Sequence, residues 1–146
     1  MKQREIKFRA WDKENNCMYE WDVLSKRNNF MEALEMNKEN LWELMQYTGL
    51  KDRKGKKIWE GDIVRVLYSG WPSKPEDDKR TLEEYLVSLS SVGRVIYQAP
   101  KFVIDFGKRK YWDNNIGSFN VDPYGFIEVI GNVYSNPELL EEKEEL

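Results

Sequence analysis

QYTGLKDRKGKKIWEGDIVRV, residues 46–66, is the stretch whose reading decides the fold. It sets three glycines, four lysines and two arginines among β-forming residues. Either it holds phosphates or nucleic acid, or it makes the corners of a small barrel. A nucleotide-binding loop leads from a strand into a helix, with a glycine pattern such as GxxxxGK[ST]. Here the basic turn leads to Trp59 and a second β-branched run, which favours the corners. Gly49 is expected to close a turn. Asp52-Arg53-Lys54-Gly55 has the composition of a type I turn with a bulge. Ile58 and Trp59 then form a short strand, with Trp59 in the core. Glu60-Gly61-Asp62 makes a second tight turn into a strand over residues 63–68, covered on both faces. Two turns so close together, each feeding a strand, describe a sharply curved sheet.

Toward the N-terminus, Ile6, Phe8 and Ala10 alternate with Lys7, Arg9 and Trp11, which predicts a half-buried strand. The DKENN run at 12–16 is turn chemistry, and Cys17-Met18-Tyr19 can pair back as a hairpin. Residues 22–29 read as a connection. Residues 30–45 are open: Leu41, Leu44 and Met45 have helical spacing behind a possible cap at Asn37, while Leu44, Gln46 and Thr48 alternate as in a strand. The strand over 44–48 is preferred.

Toward the C-terminus, residues 69–80 carry two prolines and a charge cluster, the composition of a loop. Thr81 and Glu84 spell a capping box. Leu82, Tyr85, Leu86 and Leu89 share one face of the helix it opens, over 82–89. Strands are expected at 94–98 and 102–106 around a turn at Ala99-Pro100. Asp113-Asn114-Asn115 makes a further turn. Strands follow at 126–130 and 133–134, divided by Gly131-Asn132. Asn136-Pro137-Glu138 has a cap, a proline at the first helical position and a first-turn acid, so it opens a short terminal helix. The fold class is therefore mainly β: a strongly bent barrel with one inserted short helix and a short C-terminal helix.

Charge and composition narrow the function. At 146 residues, one domain over 1–146 is the default. The net charge is −3, but the last nine residues hold five acids and one base. Taking these from 26 acids and 23 bases leaves a body at +1, too little for broad phosphate binding. The acidic balance lies in a tail over 138–146. Single Cys17 makes no internal bridge and fits a reducing compartment. No apolar run is long enough to cross a bilayer, and the first residues lack a signal-peptide core. A soluble, cytoplasmic protein without membrane contact is expected.

The chain has no histidine, which removes Ser-His and Cys-His nucleophile pairs and the commonest zinc ligand. Asp52, Glu60 and Asp62 lie close in sequence, but aspartates at turn starts and after glycine bond local backbone. No catalytic, cofactor-binding or metal-binding residue is assigned, and a metal-dependent hydrolase ranks last. The candidates for contact with a partner are basic and aromatic. Arg53, Lys54, Lys56 and Lys57 form one basic turn beside Trp59. Lys108, Arg109, Lys110 and Trp112 form a second cluster. Trp71, in a Gly-Trp-Pro loop, is hard to bury. Such clusters can hold single-stranded nucleic acid, but solvated hairpin tips that keep strand edges apart are the simpler account.

QYTGLKDRKGKKIWEGDIV in the middle and IEVIGNVYSNPELL near the end, with REIKFRAWD at the start and Gly93-Arg94-Val95 before Phe102, resemble the YopX-like proteins of phages and prophages. The resemblance covers nearly the whole chain. The stretches least like the family are 28–44 and the loop and helix over 69–89. The family implies a small, mostly β intracellular protein with an SH3-like barrel core. It implies no reaction, so no catalytic residue carries over. A non-enzymatic accessory protein is expected, binding a host or phage protein or assembling with itself. The alternative is a nucleic-acid-binding module built on the two basic aromatic clusters.

Overall fold

The computed structural model describes residues 3–67, 74–88, 90–107 and 126–140. It is mainly β, with two antiparallel sheets, one of them a half-barrel, and few helices. The chain divides into two compact units, Met1–Gly49 and Leu50–Leu146.

In the first unit, β1 (Phe8–Asp12) is the centre of the pairing. It runs antiparallel to β2 (Cys17–Tyr19) on one side and to β3 (Trp42–Lys51) on the other, with Ala10 opposite both Tyr19 and Leu44. The first hairpin is as expected. Of the expected inward row, Ala10 is buried and Phe8 half-buried, while Ile6 lies exposed before the strand; Arg9, expected outward, is buried. Two helices lie between β2 and β3. The connection expected over 22–29 instead holds α1 (Trp21–Leu24), and α2 (Asn29–Lys38) begins at its end. A four-residue helix is too short to show a period. It exists because Leu24 is buried with Ala10 and Ala33 in the core of this unit, against Tyr19, Trp21, Trp42 and Leu44. The strand preferred at 44–48 lies inside β3. Asn37 caps nothing; it sits within α2 and its Oδ1 accepts the Leu44 N–H at 3.0 Å. Gly49 closes no turn either, but lies within β3 at φ +86°.

The second unit opens on the end of β3, which turns through Asp52–Lys56 into β4 (Lys57–Trp59). Its main sheet has the order β7-β6-β5-β8, formed by β5 (Asp62–Leu67), β6 (Ser91–Gln98), β7 (Lys101–Asp105) and β8 (Phe126–Asn132). β5 is central, and its pairing with β8 shifts register between Ile63 and Val64. Ile63, Val64 and Val66 are all fully buried, so the strand is covered on both faces as its β-branched run implies. Val64, Val66, Val95, Ile104 and Ile127 form the core with Ile58 and Phe106. Trp59 is buried as expected. Gly93 is required by a close approach: a Cβ there would stand 2.7 Å from the Asp105 carbonyl oxygen and from the Ile104 side chain.

The capping box is present and reciprocal. The Glu84 N–H donates to Thr81 Oγ1 at 3.1 Å, and the Thr81 N–H donates to Glu84 Oε2 at 2.9 Å. It opens α3 (Leu82–Ser88). Tyr85 is buried but Leu82 is exposed. In the loop before it, Arg80 chelates Asp78 and holds its carboxyl down at about 2. At the C-terminal end, β8 runs unbroken through Gly131 and Asn132. The strand expected at 133–134 is a turn, whose Tyr134 and Ser135 N–H groups donate to Asn132 Oδ1. Asn136 does not cap with its side chain, which reaches back to accept the Asn132 N–H at 3.2 Å. The terminal helix is one 3-10 turn, Pro137–Leu140. With α1, α2 and α3, helix is more plentiful than the single insertion expected.

Candidate functional site

The basic turn is built around one carboxylate. Asp52 is buried at the end of β3, and its Oδ1 accepts the N–H groups of Lys54 and Lys56, each at 2.9 Å. Backbone bonds from Asp52 N to Lys56 O and from Gly55 N to Asp52 O close the turn. The expected type of turn is present, but it is not a free tip. Asp52 Oδ2 accepts the Val129 N–H at 3.0 Å, and the Arg53 N–H donates to Ile127 O at 3.0 Å. The turn therefore lies along the outer edge of β8 and satisfies backbone groups that an edge strand would otherwise present. Lys54 Nζ pairs with Glu128 Oε1 at 2.9 Å, which removes one charge from the basic cluster. Arg53 and Lys56 are exposed, and Lys57 is half-buried. Arg65 stands opposite Glu128 in the β5–β8 pairing, with its Nε buried and without a hydrogen-bond partner.

The aspartates of this region serve the backbone. Asp62 Oδ2 accepts the Trp59 N–H at 2.8 Å across the Glu60-Gly61 corner. Gly61, at φ +86°, donates its N–H to Val95 O and accepts the Val133 N–H. The expected turn chemistry of Asp52 and Asp62 is what the structure contains.

In the first unit, Asp12 plays a similar part. Its Oδ1 accepts the Glu14 and Asn15 N–H groups, and its Oδ2 accepts Asn15 Nδ2 at 2.8 Å and the Tyr19 hydroxyl at 2.9 Å. The Asn15 side-chain donor leads in holding the Asp12 carboxyl below its ordinary range, with help from the Asn15 backbone and against the effect of burial. Tyr19 is driven the other way, first by its contact with Cys17 and then by Asp12.

One surface escaped the sequence. Val23 on α1 and Met31 and Leu34 on α2 are 44%, 61% and 41% exposed. Phe30 packs instead against Phe8 and Trp21, at ring-centroid distances of 5.1 and 5.8 Å. Ala33 points into the core. The available signal was the pair Met31 and Leu34, three residues apart and out of phase with Phe30 and Ala33. The second basic cluster, Lys108, Arg109, Lys110 and Trp112, and Trp71 of the loop lie outside the described residues. So does the turn at 113–115.

The family model described as YopX protein matches residues 7–141. No curated protein matches the chain. Protein EF1440 from Enterococcus faecalis has a similar crystal structure, with a TM-score of 0.54 and 22% identity over 95% of this chain and 100% of that one. That likeness shows the fold alone. The crystal structure of protein yopX from Bacillus subtilis is similar at a TM-score of 0.49 and 26% identity, covering 94% of this chain and 98% of that one.

Proposed function

Taking as premise that this chain belongs to the YopX protein family, we propose that it works by binding rather than by catalysis, as an accessory protein of a phage or prophage genome in the bacterial cytoplasm. The core of the second unit is proposed to be an SH3-like barrel, a scaffold that presents surfaces. The observation that carries the reading is the apolar outer side of α1 and α2, where Val23, Met31 and Leu34 stand in solvent. Apolar groups on a helix surface lose favourable burial unless a partner covers them, at about 25 cal/mol per Å². Support also comes from the turn aspartates: Asp12, Asp52 and Asp62 already accept backbone N–H groups, so their lone pairs are directed at the fold. The partner is a host or phage protein, or another copy of the chain.

Nucleic acid ranks second. The turn carries exposed Arg53 and Lys56, but Lys54 is already paired with Glu128. Six phosphate contacts to a single strand would give a log–log salt slope of roughly −4. Weak binding with a shallower slope is expected. The deciding experiment pairs an oligonucleotide titration at two salt concentrations with affinity capture from host lysate, using the intact chain and the Leu34→Ser variant. Protein capture lost in Leu34→Ser, with no steep salt slope, agrees with the proposal. Submicromolar nucleic-acid binding at physiological salt overturns it.

A further inference from the structure

We draw no further inference here: the strongest candidate, the apolar outer face of α1 and α2 where Val23, Met31 and Leu34 stand exposed, belongs to the surface already described, and nothing in the structure shows what covers it.

Discussion

Asp12 and Asp52 each begin a hairpin turn, and they use their oxygens differently. In each, Oδ1 accepts two N–H groups of the turn that follows. Asp12 gives its Oδ2 to Asn15 and Tyr19, so all its partners lie within the same hairpin. Asp52 gives its Oδ2 to Val129, 77 residues further along the chain. The first aspartate shapes a turn. The second shapes a turn and also seals a sheet edge, standing where the carbonyl of a neighbouring strand would stand. Similar chemistry thus closes one turn locally and joins distant parts of the chain in the other.

The largest effect expected from this difference is that of Asp52→Ala. It strands the Val129 N–H and loosens the turn, at a cost of about 2–4 kcal/mol. Asp52→Asn keeps one acceptor oxygen and should cost less. Urea unfolding measures both, and an Asp52→Ala variant as stable as the parent would break the comparison. Gly61→Val comes next, at about 1–3 kcal/mol, because a β-branched residue is strained at positive φ. Its corner also joins distant parts of the chain, through Val95 in β6 and Val133 just past β8. A melting temperature equal to that of Lys54→Ala would remove Gly61 from this role.

Asp12 sharpens the comparison through pH. Its folded carboxyl lies below its ordinary range, so its stabilising contribution is complete above the unfolded pKa of about 4 and is lost as pH falls through the folded value. Asp12→Asn should flatten the fall in urea midpoint below about pH 4. An identical acid slope in parent and variant would show that the local hub carries no linkage. The smallest effect is that of Lys54→Ala. Lys54 is 69% exposed, and solvent-exposed pairs contribute about 0.5 kcal/mol or less, fading with salt. A larger, salt-insensitive loss would mean that the lysine, rather than Asp52, holds the turn to β8.

Some of this was legible in order along the chain. The Asp52–Gly55 turn, the Thr81–Glu84 capping box and the β6–β7 hairpin are local, with donors and acceptors a few residues apart. The helices α1 and α2 were not legible. Leu24 and Ala33 are buried while Val23 and Leu34, similar in chemistry, stand exposed, and only packing against Ala10 and Trp42 separates them. The candidate surface was missed for the same reason. In the sequence Lys54 stands as a solvated tip, because its partner, Glu128, lies far along the chain.

By itself, then, the sequence determined the β-rich class and the turns, since a short aspartate or threonine side chain reaches only its own neighbourhood and glycine takes positive φ with the least strain. The tertiary structure decided the strand order β7-β6-β5-β8, the sealing of the β8 edge and which side of α2 meets solvent. Those depend on groups brought together from distant parts of the chain, where burial of the shared core offsets the loop-closure entropy.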